Sequence, residues 1–319
     1  MNNNLIVVIV ASAIFYGTPL YFAALGELLT ERSGVLNLGV EGMMLMGAVA
    51  GSYTSTHLSG PSWFVVLGSI IVGALAASLG ALVHAFLVIT LRVNQTVSGL
   101  ALTIFAGAAG LSSYLANAWK VAVKPVPHPI RKLSVFGLKD TPVVGPILFN
   151  HNVLTYASWV LAILASIYLY RSRIGLNLRA VGESPQTADA MGINVTAYRY
   201  WHTLIGGALA GVAGVYYSLA IVPTWVDGMT AGRGWIAIAL VIFGFWRPDL
   251  TLLGAYLFGG FASLAVNLKA RNYSINPSIL ESLPYAMTII VLVAVSTGWA
   301  KRRLGAPASL GVPYEREER

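Results

Sequence analysis

Few side chains in this sequence have the chemistry to handle a solute, and Glu41 leads them: a carboxylate set inside a run apolar enough to lie at membrane depth. Ionised oxygen is costly in hydrocarbon, so such a group faces a bundle interior or a wet cavity and is a candidate for a solute pathway. An equally open reading has Glu41 bonding neighbouring backbone or hydroxyls and locking a broken helix. Asn37 stands four residues earlier, a spacing that places both on one helix face. Gly34, Gly39 and Gly42 predict that this span starts irregularly, which is tolerated at depth only against protein or a cavity. The neighbouring Glu27, Glu31 and Arg32 read more simply as a solvated turn. Gln95, in a patch with Asn94, Thr96 and Ser98, is a further pathway candidate, although caps and interfacial contacts are the plainer reading. The turn 223 to 234 carries Trp225, Asp227 and Arg233, an aromatic and a charge pair fit to receive a ring-bearing solute, unless Trp225 is only an interfacial belt residue. Asn267 is a weaker candidate of the same kind.

Other chemistries are missing. His84 and His202 are isolated, no spacing resembles a metal site, and the absence of cysteine excludes thiolate ligands and disulfides. Neither a serine, histidine and acid grouping nor a phosphate-cradling GxxxxGK[ST] stretch occurs. The chain is therefore read as a non-enzyme without cofactor or metal, and any uphill transport must draw on nucleotide chemistry in another polypeptide.

The elements that must position these residues are membrane spans. The chain is 56% hydrophobic and 10% charged, with a mean hydropathy of +0.72, against about 25% charge in an ordinary soluble domain. The net charge of +8 sits mostly in short loops and at the C-terminus, where orientation bias explains it without a nucleic-acid partner. Apolar runs predict an all-α polytopic bundle of about nine spans (eight to ten), near 5–26, 35–57, 63–91, 96–118, 152–170, 203–222, 235–246, 250–268 and 283–300. The run at 235–246 is short for a crossing and reads as half of a broken or re-entrant segment, with Trp235 and Trp246 at its interfaces. The N-terminal run lacks a basic leader and is expected to be kept as the first span. Residues 1–304 form the transmembrane domain and 305–319 a cytoplasmic tail. Lys301, Arg302 and Arg303 set the C-terminus in the cytoplasm, which places Arg32, Arg92, Arg171, Arg173, Arg179, Arg199 and Arg247 on the same side. Loop 119–150 falls outside despite Lys120, Lys124, Arg131, Lys132 and Lys139, and its prolines predict an extended cover with little regular structure. Glycine pairs such as Gly47 with Gly51, and Gly207 with Gly211 and Gly214, are assigned to close helix packing.

Between two spans lies a polar, arginine-bearing loop, 171–202, with a miniature helix inside it. Ser184 caps that helix, Pro185 suits its first position, and Gly192 supplies a left-handed stop. Two turns remain, far too short to cross, so the piece lies along the cytoplasmic surface. There Ala188 and Met191 form an apolar knob for a soluble partner's groove, unless the segment is merely a connector.

Three stretches then come together. GELLTERSGVLNLGVEGMMLMGA, the loop LRAVGESPQTADAMGINV followed by GGALAGVAGVYYSLA, and MTAGRGWIAIALVIFGFWRP resemble the inner-membrane permease subunits of bacterial ABC importers, in the nucleoside and simple-sugar branch related to ribose and branched-chain amino acid permeases. The resemblance covers roughly residues 15–300, and the chain starts almost directly in its first span where many relatives carry a leading helix. It implies a pore half in the bacterial inner membrane, completed by a similar or identical second permease, a cytoplasmic ABC ATPase and an extracytoplasmic solute-binding protein. Gly182, Ala188, Ala190 and Gly192 match the family's coupling segment, so the helix around Ser184, Pro185, Ala188, Ala190 and Met191 is expected to dock in the ATPase. A nucleoside is the expected cargo, with a simple sugar or riboflavin-like compound as the alternative. A self-sufficient channel or ion-coupled carrier would favour more charge within the spans than Glu41 alone supplies.

Overall fold

A computed structural model describes residues 5–107, 109–121, 125–134, 137–270, 277–296 and 305–316. Twelve α-helices follow one another among these residues: α1 (Leu5–Arg32), α2 (Val40–His57), α3 (Ser62–Ala85), α4 (Gln95–Ala106), α5 (Leu111–Ala118), α6 (Val153–Arg171), α7 (Arg173–Glu183), α8 (Pro185–Ala190), α9 (Val195–Tyr216), α10 (Arg233–Phe243), α11 (Pro248–Ala270) and α12 (Pro277–Ser296). Between α5 and α6, β1 (Lys132–Ser134) pairs antiparallel with β2 (Asn150–Asn152), Leu133 facing His151. The all-α expectation holds for the bundle. Loop 119–150 is more ordered than its prolines imply, because this ribbon and a bridge from Pro125 to Thr224 tie it down.

Six helices among the described residues are long and apolar enough to cross a membrane, and α10 is a shorter apolar helix. Hydropathy and length therefore give a multi-pass membrane protein, without carrying the count of nine. The differences are local. The first span runs on through Glu27, Glu31 and Arg32, all buried, so this cluster is not a solvated turn. The fourth run breaks at Gly107 into α4 and α5. Helix α9 begins at Val195, which moves Arg199 and His202 from the loop into the span, where His202 bonds the Tyr168 hydroxyl at 2.7 Å. Lys124 and Lys301, Arg302 and Arg303 lie outside the described residues.

The core joins α1, α2, α3 and α9, and it closes because glycine lets backbones touch. A Cβ on Gly47 of α2 would overlap the Gly211 backbone of α9, and one on Gly214 would overlap Met44 O. Gly211 in turn faces Gly73 O of α3. Lipid offers no hydrophobic force for helix association, so this close approach supplies dispersion contact instead.

Candidate functional site

Residues 33–39 leave the α1 terminus as a non-helical corner, turning at Gly34 with φ +88°, before α2 begins. Non-helical backbone at depth needs partners, and side chains provide them. Leu36 N donates to Gln95 Oε1 at 2.7 Å, and Asn37 N donates to Glu27 Oε1 at 3.0 Å. Thr103 Oγ1 donates to Leu38 O at 2.9 Å. Leu36 O also lies 3.1 Å from His84 Nε2; a carbonyl only accepts, so Nε2 carries the proton and Nδ1 faces Ser98 Oγ at 2.9 Å. Asn37 precedes α2, and its Oδ1 accepts from Gly39 N at 3.0 Å. It therefore shares no helix face with Glu41.

Glu41 sits in the first turn of α2 and holds the start of α10. Its Oε1 accepts from Thr230 Oγ1 at 2.6 Å and Gly232 N at 2.8 Å, and its Oε2 accepts from Gly234 N at 2.6 Å. The unpaired N–H groups and positive dipole end of a helix N-terminus suit a carboxylate there. The far end of α10 is held as firmly. Trp246 Nε1 donates to Glu31 Oε2 at 2.5 Å, while Arg32 Nε and Nη2 donate to Trp246 O at 3.3 and 2.8 Å. At 1.5 Å per residue α10 is roughly 16 Å long, about half of a 30 Å hydrocarbon core. Its first turn is held against α2 by Glu41, with Gly234 buried there, and the 223–234 turn leads into it. The run at 235–246 is thus too short for a full crossing, as expected, whereas Trp246 is buried and bonded inside the protein rather than at an interface.

The mouth at this half-helix carries polar aromatic side chains. Gly232 has φ +78°, and a Cβ there would touch Tyr285 at 3.6 Å and Trp235 at 3.8 Å. Those two rings are 43% and 38% exposed, and the Tyr285 hydroxyl donates to Ala231 O. Arg233 Nη1 donates to Thr230 O at 3.2 Å, its guanidinium 5.2 Å from the Tyr217 ring centroid. Glu41 and Arg233 are therefore brought together by the 230–234 segment, while Asn37 and Gln95 belong to the adjoining corner. Trp225 is fully buried and bonds Asp227 Oδ1 at 3.1 Å, so it is no belt residue. Asn267 turns back onto Ser263 O of its own helix at 2.8 Å, and Ser263 bonds Ile9 O near the start of α1, away from the mouth. Tyr285 carried no sequence signal, and Trp235 read only as an interface residue. Their pairing depends on a left-handed glycine whose conformation becomes visible only in three dimensions.

At the Arg32 end of the bundle, α8 has the expected punctuation. Ser184 Oγ accepts from Thr187 N at 3.4 Å, Pro185 opens the helix, Ala190 closes it, and Gly192 takes φ +82°. Gly182, just before it, packs directly beneath Arg32 O. One expectation changes: Ala188 is 2% exposed and packs on Val181 and Val195, leaving Met191, 78% exposed, as the knob. At helical spacing the two side chains diverge because Met191 has already left the helix as its C-terminal cap. Among the described residues no group of three or more His, Cys, Asp or Glu has the arrangement of a metal site.

Comparison with known proteins agrees with this architecture. A family model described as branched-chain amino acid transport system, permease component, matches residues 9–296. TsgC13 of Haloferax volcanii, named for glucose ABC transport as a permease protein, is 40% identical, over 94% of this chain and 95% of its own. The nucleoside ABC transporter permease protein NupC of Lactococcus lactis is 38% identical, over 98% of each chain. The guanosine ABC transporter permease protein NupQ of Bacillus subtilis is 35% identical, also over 98% of each.

Proposed function

The chain belongs to the permease-component family of the branched-chain amino acid transport system, and from that premise we propose that it forms half of a nucleoside pathway in an ATP-driven importer. It is a transporter subunit in the membrane rather than an enzyme, and as an ABC permease it works with an ATPase and a solute-binding protein. A second permease, similar or identical, completes the conduit. The observation that carries the nucleoside reading is near-full-length similarity to NupC and NupQ, at 38% and 35% identity.

The half-helix mouth supports the same reading. A half-buried arginine within an apolar bundle would be costly against lipid, so this face of α10 belongs on a wet path or against the second permease. Trp235 and Tyr285 offer ring faces on which a flat base stacks, and Arg233 offers fixed N–H donors. Glu41 is the lock that holds this mouth open at the start of α10; its oxygens already accept three hydrogen bonds, so it positions the pathway more than it binds cargo. The coupling element is α8 with Gly182, Met191 and Gly192 around it, lying on the cytoplasmic side, where ATP-driven closure would press on Met191.

A sugar reading has its own support in the 40% identity to TsgC13. Competition separates the two. In proteoliposomes holding the whole complex, labelled adenosine should accumulate, and unlabelled guanosine should displace it while glucose leaves it unchanged; accumulation of labelled glucose with none of adenosine would favour the sugar.

A further inference from the structure

We infer that residues 305–316 form a strap that positions the coupling helix and hands its movement to the 33–39 corner, an inference that rests on α8 being the ATPase contact. Helix α8 packs mainly on its chain neighbours α7 and α9. A hollow of about 510 Å³ opens between it and the end of α3, lined by Thr90, Arg92, Asp189, Asn194 and Tyr314 among others. The tail spans that gap and the loop beside it.

On the coupling side, Ser309 gives both its donors to one carbonyl: N and Oγ reach Gly182 O at 2.9 and 2.7 Å. Tyr314 packs against the small cluster of Val181, Ala188 and Val195 that seats α8. On the membrane side, Gly311 N donates to Gly34 O at 3.3 Å, and Arg32 Nη1 donates to Gly305 O at 2.9 Å. Arg199 joins the two sides. Its Nε donates to Ser33 O at 3.2 Å, Nη1 to Val312 O at 3.3 Å and Nη2 to Ser309 Oγ at 3.5 Å, with Tyr314 6.0 Å from the guanidinium. The side chain is buried and has no ion pair among the described residues. A buried cation satisfied by neutral oxygens depends on every one of them, and two of its three come from the tail. The outer ion pairs, Arg92 with Glu315 and Arg316 with Asp189, each place an exposed arginine at the surface, where solvent screens the pair and it adds little.

The route from α8 therefore runs through Gly182, Ser309 and Arg199 to Ser33 and Gly34, along the corner to Glu41, and so to the start of α10. Helix α7 also touches the end of α1, where Gly182 packs beneath Arg32 O, and the strap adds hydrogen bonds that join this contact to Ser33 and Gly34 of the corner. Ser309 and Arg199 are positioning residues, and their effect falls on coupling.

The test uses the complete complex in proteoliposomes with three changes to this chain: a stop in place of Gly305, Ser309→Pro, which removes both donors to Gly182, and Met191→Asp on the exposed knob. Uptake and ATP hydrolysis are measured with and without loaded solute-binding protein. For Ser309→Pro, uptake and the stimulation of hydrolysis should each fall roughly tenfold, the loss of one to two net hydrogen bonds, and for the stop, which removes every bond of the strap, at least as far, while basal hydrolysis and subunit co-purification persist. A merely structural tail would lower assembly and basal hydrolysis together. Wild-type stimulation in Ser309→Pro alongside abolished uptake in Met191→Asp overturns the strap and leaves α8 standing. Wild-type uptake in Met191→Asp overturns the docking of α8 itself.

Discussion

Glu41 shows how one carboxylate can be costly in isolation and stabilising in place. Three donors from the 230–234 segment surround it, two of them backbone N–H groups at a helix start. In Glu41→Gln the amide nitrogen must turn a donor toward either Gly232 N and Thr230 or Gly234 N. Loss of a charged acceptor and exposure of a buried donor should destabilise the protein by roughly 2–4 kcal/mol, read as an earlier thermal transition in detergent, with slowed uptake; an unchanged transition would return Glu41 to solute binding. A second residue carries a pH signature. His151, in β2, is buried, and its Nε2 donates to Ile147 O at 2.8 Å while Nδ1 has no partner. Burial holds its pKa below the ordinary 6.5. The folded loop thus favours the neutral ring, and the stabilisation is complete above pH 6.5 and lost as pH falls through the lowered value. Protease cleavage of the 125–152 loop should rise on acidification and lose that dependence in His151→Gln; cleavage indifferent to pH in the native chain would contradict it. Glu41 was legible as a residue type, but its partners were not: it meets a segment almost two hundred residues further along, and no local pattern encodes that meeting, while His151 carried no sequence signal at all.

At the scale of elements, periodicity and punctuation carried far. The cap of α8 and its left-handed stop stand where Ser184, Pro185 and Gly192 predict, because these signals act within one turn. Glycine spacing named the packing faces of α2 and α9 for the same reason. What local signals missed was depth. Glu27, Glu31 and Arg32 look like a solvated turn in one dimension, yet they finish α1 as buried anchors for the corner and for Trp246. Charged residues mark the membrane edge only when their partners are water; here the partners are backbone and indole. The packing makes its own prediction. A valine at Gly214 would drive its side chain into the α2 backbone at Met44 and Ala48, so Gly214→Val should abolish membrane accumulation of folded chain, whereas Gly260→Ala, whose nearest neighbour would be 3.7 Å away, should be tolerated. Equal accumulation of both variants would mean that α2 and α9 do not pack this closely.

The whole molecule is a chain of mechanical links with no fuel of its own. The parts are a half-helix held at both ends, a non-helical corner satisfied by side chains, and a short helix whose C-terminal partners also bond that corner. The most direct measurement is uptake of labelled guanosine into proteoliposomes that hold this chain and its second permease, with and without the partner ATPase and loaded binding protein. ATP-dependent accumulation that vanishes when the ATPase is left out is the expected result. Accumulation driven by an imposed ion gradient, with no ATPase present, would contradict it.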